Sequence, residues 1–200
     1  TDKDGNLIIL YAQNKDEQYT YIESAKEKGY EVLLLDSPII PHLMQKLESK
    51  KEKIKFSRVD SDTLENLIKK DEEVISKLTD EEKEKLKPMI ETAVENEKYT
   101  VQLEALDSNS MPFMLAQPEF MRRMKEMQQT GGGAMGNLPD MYSLIVNTNH
   151  ELVGKILNTR TEKKRNSLIK QSIDLAKLSQ NNLTGKDLTE FINRSIDLIK

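Results

Sequence analysis

The sequence predicts an α+β fold, with a small α/β (βαβ) subdomain over residues 1–71 and a mixed α/β domain over residues 72–200 that ends in a helical hairpin. Two observations predict this fold. Near the N-terminus, continuous apolar runs are joined by a helix-like segment, as in parallel strands that are buried on both faces. Residues 151–200 carry apolar side chains at helical spacing almost throughout. A charged connector over residues 71–77 separates the two patterns.

In the first segment, strand-like and helix-like patterns alternate in the order expected of a parallel crossover unit. The predicted elements are strands over residues 7–12, 31–35 and 54–59 and helices over residues 17–28, 38–47 and 62–70. We expect Gly29 to end the first helix, and Asp36 or Ser37 to cap the second. No glycine-rich turn follows the first strand, so a dinucleotide site is not expected.

In the second segment, short strands lie between helices. The predicted elements are a helix over residues 79–96, strands over residues 99–106, 112–115 and 141–147, and helices that begin near residues 149, 159 and 184. Thr79 and Glu82 stand three residues apart, as in a capping box, and so do Thr159 and Glu162. Pro88 is expected to kink or break the first of these helices.

Seven of the nine methionines lie between Met111 and Met141, around a glycine run from Gly131 to Gly136. Within this stretch, four apolar side chains recur at helical spacing on one side of a probable helix: Phe120, Met121, Met124 and Met127. The stripe has two interpretations, either the buried face of a surface helix or an exposed face that binds partners. Methionine repacks easily and the glycines give the chain freedom, which favours the exposed interpretation.

The last two predicted helices carry broad apolar stripes that three short strands cannot cover. Either they form a lid on their own domain, or the hairpin meets its copy across a two-fold axis in a four-helix bundle. The second interpretation predicts a homodimer. Its expected interface residues are Leu168, Ile169, Ile173, Leu188, Phe191, Ile192, Ile196 and Ile199.

Composition limits the possible partners and locations. Charged residues make up 32% of the chain and hydrophobic residues 36%, with a net charge of −4, and most of the acidic excess lies in residues 71–110. No basic stripe with interleaved aromatics suggests nucleic acid as a partner. No apolar run is long enough for a membrane span, and there is no cysteine, so we expect a cytoplasmic protein. The chain begins with Thr1, which suggests a piece of a longer protein.

Catalytic and metal-binding patterns are not found in the sequence. His42 and His150 are the only histidines, and His150 stands where a helix is expected to begin, so we expect it to cap or pack. The acidic runs at residues 71–73 and 80–82 lack the spacing and central glycine of a calcium loop. The sequence therefore predicts no catalytic, cofactor-binding or metal site, and indicates a binding and assembly module.

Several stretches together resemble the C-terminal part of the ninety-kilodalton heat-shock protein family, in particular its bacterial members. The stretches that carry the resemblance are residues 28–35, 53–59, 107–112 and 147–150, together with the methionine-rich helix. Thr148 stands where the family usually has proline, so we expect a looser turn there.

The resemblance implies an ATP-driven, stress-related molecular chaperone, of which this chain is the end of the middle domain and the dimerisation domain. The family's ATP site and catalytic arginine would lie outside the chain, so ATP and magnesium are implied only for the full-length protein. The resemblance further implies that Phe120, Met121, Met124 and Met127 contact unfolded or partly folded client proteins.

Two other classes of protein fit the same sequence less well. A methionine-rich domain that binds signal sequences in an RNA-linked targeting protein should be basic, whereas residues 111–150 carry no net charge. A fragment of a nucleotide-dependent enzyme should contain a phosphate-binding loop, which the α/β segment lacks.

Overall fold

The computed structural model describes residues 1–70, 74–94, 98–131 and 141–199, without the side chains of residues 128–131 and 198. It confirms the α+β fold. The chain forms two compact units. Unit 1 comprises Thr1–Glu73 and Ala116–Met141, and unit 2 comprises Val74–Leu115 and Tyr142–Lys200. The methionine-rich helix thus belongs to unit 1, although its place in the sequence had put it within the second predicted domain.

The elements are numbered in chain order. The strands are β1 (Leu7–Ala12), β2 (Leu33–Leu34), β3 (Ile54–Arg58), β4 (Tyr99–Glu104), β5 (Phe113–Ala116) and β6 (Tyr142–Asn147). The helices are α1 (Tyr19–Glu27), α2 (Ile40–Lys50), α3 (Leu64–Leu67), α4 (Asp80–Ala93), α5 (Glu119–Gly131), α6 (Glu151–Asn158), α7 (Glu162–Ser179) and α8 (Gly185–Ile199). No helix among these described residues is long and apolar enough to cross a membrane.

Unit 1 is built on a parallel sheet in the order β2-β1-β3, which confirms the predicted crossover unit. Side chains of a strand alternate between the two faces of its sheet, so β1 serves two apolar clusters. Leu10 and Ala12 pack with residues of α1, including Ile22 and Ala25. On the other face, Tyr11 packs with two more buried side chains, Met44 of α2 and Phe56 of β3.

Two predictions for unit 1 are wrong in detail. The predicted buried strand over residues 31–35 is reduced to Leu33 and Leu34, which pair with the end of β1 and are 48% and 55% exposed. These residues form an edge strand, and their apolar side chains had suggested a buried one. Helix α2 begins after Ile39, and no side chain caps it, so neither Asp36 nor Ser37 has the predicted role.

Unit 2 contains the sheet β4-β6-β5, with β4 and β6 parallel over their whole length. The backbone N–H of Asn147, at the end of β6, donates to the carbonyl of Pro112 just before β5, so these two strands run in opposite directions. Helices α4, α6 and α7 pack around the sheet. They contribute Leu86, Ile90, Val153, Ile156, Ile169 and Ile173 to one apolar core.

The start of α4 matches the predicted capping box, because Glu82 N–H donates to Thr79 Oγ1 (3.3 Å) and Thr79 N–H donates to Glu82 Oε2 (2.9 Å). Of the kink or break expected at Pro88, the break is wrong, since α4 runs through the proline from Asp80 to Ala93. The fully buried side chains of Leu86 and Ile90 flank the proline and hold both turns against the core.

The second predicted capping box is also wrong. Helix α7 begins only at Glu162, and the preceding Thr161 makes no side-chain cap. The Thr159 hydroxyl instead donates to the Lys155 carbonyl at the end of α6 (2.7 Å). His150 does cap α6 as predicted, accepting at Nδ1 from Leu152 N–H (3.0 Å).

The last residue of β6 and the two residues after it form a buried polar cluster, which consists of Asn147, Thr148 and Asn149. Thr148 N–H donates to the Glu104 carbonyl (2.8 Å), and its hydroxyl is within hydrogen-bond distance of that carbonyl (3.1 Å) and of Ser76 Oγ (2.9 Å). A proline at this position has no N–H to donate. The looser turn expected at Thr148 is therefore wrong, because the threonine adds hydrogen bonds there.

Candidate functional site

The candidate site is α5, whose charged residues face the rest of unit 1. Arg122 is 4% exposed, whereas Phe120, two residues earlier, is 70% exposed. Glu119 and Arg123 also contact β1, β3 or α2. Helix α5 thus lies against unit 1 by its polar side, which is the reverse of an ordinary surface helix.

Arg122 is the centre of the polar contacts. Its Nη2 donates to Glu119 Oε1 (2.7 Å) and also contacts the Tyr11 hydroxyl. Its Nη1 donates to Gln13 Oε1 (3.3 Å) and contacts Glu126 Oε1. The guanidinium carbon lies 5.6 Å from the centre of the Tyr11 ring, within the range of a cation–π contact. The Nε of Arg122 is buried without a hydrogen-bond partner among the described residues.

Glu119, the first residue of α5, is shared by several donors. Its Oε1 accepts from the Tyr11 hydroxyl (2.7 Å) and from Arg123 Nε (2.7 Å), in addition to Arg122. Its Oε2 accepts from the backbone N–H of Arg58 in β3 (3.3 Å). One carboxylate therefore joins the start of α5 to two neighbouring strands of the sheet.

Arg123 connects α5 to α2 and β3. Its Nη1 donates to Glu48 Oε2 (2.8 Å), and its Nη2 donates to the carbonyl of Phe56 (2.7 Å). Glu48 Oε1 accepts in turn from Phe56 N–H (2.8 Å). The Nη2 atom also lies 3.9 Å from the sulfur of Met44.

Arg58, at the end of β3, extends these contacts. Its Nε donates to Asp60 Oδ1 (2.5 Å) and its Nη1 to Gln13 Oε1 (2.9 Å). Gln13 Nε2 lies 3.4 Å from Glu126 Oε2 of α5. The polar contacts therefore continue from the start of α5 to its second turn.

The charges at this site stabilise one another. Burial alone would raise the pKa of Glu119, but the Arg122 guanidinium and the donated hydrogen bonds outweigh it, so the pKa lies below its ordinary value. Burial, followed by the neighbouring Glu119 charge, raises the pKa of Tyr11 above its ordinary value. Burial opposes the charge of Arg122, but the Glu119 carboxylate outweighs it and raises the pKa of Arg122.

This set of contacts was not predicted from the sequence, where Arg122, Arg123 and Glu126 were placed only on the side of the helix opposite the apolar stripe. The available signal was spacing, since Glu119 with Arg122 and Arg122 with Glu126 stand three and four residues apart. Ion pairs at these spacings are common on exposed helices, where they contribute little to the free energy of unfolding. Only the long-range partners, Tyr11 of β1 above all, distinguish this face from a solvated one.

The four residues predicted to contact clients lie on the remaining side of α5. Phe120 is exposed, and Met121, Met124 and Met127 are each half-buried. The structure brings them together on one helix, and their role stays a prediction. The predicted flexible glycine run lies outside the described residues beyond Gly131.

The residues predicted for a dimer interface fall into two groups. Ile169 and Ile173 lie in the core of unit 2, with no more than 4% of their surface exposed. Leu168, Leu188 and Phe191 are half-buried, and Ile192, Ile196 and Ile199 are exposed. Any surface that α7 and α8 offer a partner therefore excludes Ile169 and Ile173, and dimer formation stays a prediction.

Polar contacts hold α7 and α8 together as a hairpin. Arg194 of α8 pairs with the buried Asp174 of α7, and Gln171 Nε2 donates to Ser195 Oγ (2.9 Å). Burial raises the pKa of Asp174 above its ordinary value, against the opposing charge of Arg194. Within the described ranges, no group of His, Cys, Asp and Glu is arranged to hold a metal ion.

Curated relatives cover this chain from end to end. The chaperone protein HtpG of Bacteroides thetaiotaomicron is 35% identical over 268 aligned positions, which cover 100% of this chain and 39% of the relative. HtpG of Porphyromonas gingivalis is 41% identical over 183 positions, which cover 89% of this chain and 27% of the relative. HtpG of Wolinella succinogenes is 28% identical over 207 positions, which cover 96% of this chain and 31% of the relative. No family model matches the chain.

The aligned region is the C-terminal portion of these relatives. The chain therefore belongs to the ninety-kilodalton heat-shock protein family, as the resemblance in its sequence had indicated. It spans 39% of the length of the Bacteroides relatives that it matches.

Proposed function

We propose that this chain is the dimerising, client-contacting portion of an ATP-dependent molecular chaperone that binds unfolded or partly folded proteins. Two kinds of observation support the proposal. The relatives that cover the chain are named chaperones, and the chain corresponds to their C-terminal portion. We place ATP binding and hydrolysis in the part of the full-length protein that precedes this portion, and the protein in the cytoplasm.

The observation that carries the client-contacting role is the orientation of α5. The charged side of the helix is occupied by Tyr11, Gln13 and Glu48, so its contacts with unit 1 do not require the apolar side. Phe120 is 70% exposed on the other side. An exposed phenylalanine beside three methionines offers an apolar surface that adapts to partners of different shape.

The end of the chain supports the dimerising role. Helix α8 leaves Ile192 and Ile196 46% exposed, and α7 leaves Leu175 48% exposed. Burying one such side chain contributes about 1.5–3 kcal/mol, so several in each subunit can offset the cost of association. We propose that these residues, with Leu188, Phe191 and Ile199, meet their counterparts in a second copy of the chain.

The client-contacting role is tested by replacing Met121, Met124 and Met127 together with serine. We expect weaker binding of a chemically denatured model protein, measured by fluorescence anisotropy, with a melting temperature close to that of the parent chain. The physical reason is that none of these side chains belongs to either apolar cluster of unit 1. The matched control replaces Met111 and Met141, which are 44% and 45% exposed and lie outside α5.

Two results would contradict the proposal. Equal binding by the α5 variant and the control variant would show that the stripe does not contact clients. A large loss of stability, of about 2–5 kcal/mol for each truncated side chain, would show that the methionines are core residues.

A further inference from the structure

Helix α5 is attached to unit 1 by charged groups, without an apolar interface of the usual kind. Neither apolar cluster of unit 1 includes a residue of α5 among the residues described. The contacts that hold the helix come instead from Glu119, Arg122 and Arg123 to Tyr11, to Glu48 and to the backbone of β3. No described side chain of α5 therefore belongs to an apolar core of unit 1.

The charged side chains lie against one of these clusters, which consists of Tyr11, Met44 and Phe56. These three side chains are 0%, 1% and 8% exposed. The Arg122 guanidinium lies against the Tyr11 ring, and Arg123 Nη2 reaches both the Met44 sulfur and the Phe56 carbonyl. The arginines thus shield this side of the cluster from water.

We propose that Glu119, Arg122 and Arg123 form an ionic latch, and that α5 leaves the Tyr11–Met44–Phe56 cluster when the latch opens while the sheet of unit 1 stays folded. A buried ion pair gives up much of its attraction to the loss of hydration, so the closed and open states differ little in free energy. The unpartnered Nε of Arg122 further weakens the closed state. No apolar contact in either cluster has to break.

Opening the latch has two consequences. It exposes the side of the cluster that carries the Met44 sulfur. It also allows α5, with its apolar stripe, to take a different orientation relative to the sheet of unit 1. The latch rests only on contacts within unit 1. The test of the latch is therefore independent of whether the apolar stripe binds clients.

The test replaces Arg122 and Arg123 together with glutamine and measures methionine oxidation by peroxide, residue by residue, with mass spectrometry. We expect Met44 to be oxidised about tenfold faster or more than in the parent chain, because its sulfur loses its cover. Met111, which is already 44% exposed, serves as the internal reference and should not change. Hydrogen exchange on the same samples should show faster exchange in α5 and at the Arg58 N–H, which donates to Glu119 in the closed state. Exchange should be unchanged in α1, in β1 and at the other amides of β3.

The control variant replaces Arg160 and Lys163 with glutamine, which removes two positive charges from exposed positions of unit 2. It should leave both the oxidation of Met44 and the exchange of α5 unchanged. Unchanged oxidation of Met44 in the Arg122 and Arg123 variant would overturn the latch, because the helix would then be held by other contacts. Faster exchange of β1 and α1 together with α5 would also overturn it, because α5 would then be part of the cooperative core.

Discussion

Asn149 holds the beginning of unit 2 to its sheet, and its removal should destabilise that unit. Its Oδ1 accepts from Lys77 N–H (2.6 Å), and its Nδ2 donates to the carbonyls of Ile75 and Leu106 (3.0 Å each). The residue is 6% exposed, so water cannot fully replace these bonds. Asn149→Ala removes all three bonds and takes the N–H donor from the carbonyl of the buried residue Leu106.

The magnitude follows from the number of bonds. Each intramolecular hydrogen bond contributes about 0.5–1.5 kcal/mol, and a buried group left without a partner costs about 1–3 kcal/mol. With three bonds lost, and with Ile75 and Lys77 in exposed positions where water can replace part of the lost bonding, we expect a loss of about 3 kcal/mol. For a unit of this size, each kcal/mol lowers the melting temperature by about 4–8 °C.

Urea denaturation followed by far-UV circular dichroism would measure the loss for Asn149→Ala. Asn149→Asp keeps the acceptor for Lys77 N–H but loses both N–H donors. At acidic pH, where the new carboxyl is protonated and no charge is buried, its midpoint should lie between those of the parent and the alanine variant at the same pH. A loss below about 1 kcal/mol for the alanine variant would refute the reasoning, because the bonds would then contribute no more than one ordinary hydrogen bond.

Three further predictions concern assembly, pH and nucleotide. Light scattering should give twice the 23.0 kDa mass of the chain, and Ile192→Asp with Ile196→Asp should restore 23.0 kDa because charges would enter the proposed apolar interface. The pKa of Glu119 in the folded state lies below its ordinary value of 4.5, so its contribution to stability is present above pH 4.5 and is lost as the pH falls through the lower, folded-state value. The protection factors of the α5 amides, which are exchange rates corrected for the intrinsic rate at each pH, should therefore fall on acidification in the parent chain and change less in Glu119→Gln. Calorimetric titration with ATP and magnesium should give no saturable heat, since we place the nucleotide site outside this chain.

Each of these predictions has a clear contrary result. A 23.0 kDa species for the parent chain at tens of micromolar (~10⁻⁵ M, where an interface of this kind should hold) would contradict the dimer. Leu34→Asp, at a site 55% exposed in unit 1, is the matched control and should leave the mass unchanged. If acidification lowers the protection of the α5 amides equally in the parent chain and in Glu119→Gln, another carboxylate controls the opening of α5. Saturable heat at micromolar ATP would place a nucleotide site within the chain.

The sequence predicted most elements because local patterns specify them. Residues 7–12 form β1 as an apolar run predicts, and the Thr79 and Glu82 side chains cap α4 at the predicted spacing. The errors occurred where distant parts of the chain decide the outcome. Leu33 and Leu34 resemble a buried strand, but their position at the sheet edge leaves them exposed. Pro88 breaks an isolated helix, whereas here the buried residues on both sides keep α4 continuous.

For α5, the sequence alone determined that one side of the helix is apolar and the other charged, since that follows from the period of an α-helix. It also indicated the family through the stretches that match the C-terminal part of the heat-shock chaperones. Only the tertiary structure decided which side of α5 packs on unit 1. The charged side does so because Tyr11, Gln13 and Glu48, far away in sequence, supply partners for Arg122 and Arg123, and a buried charge is stable only where such partners converge.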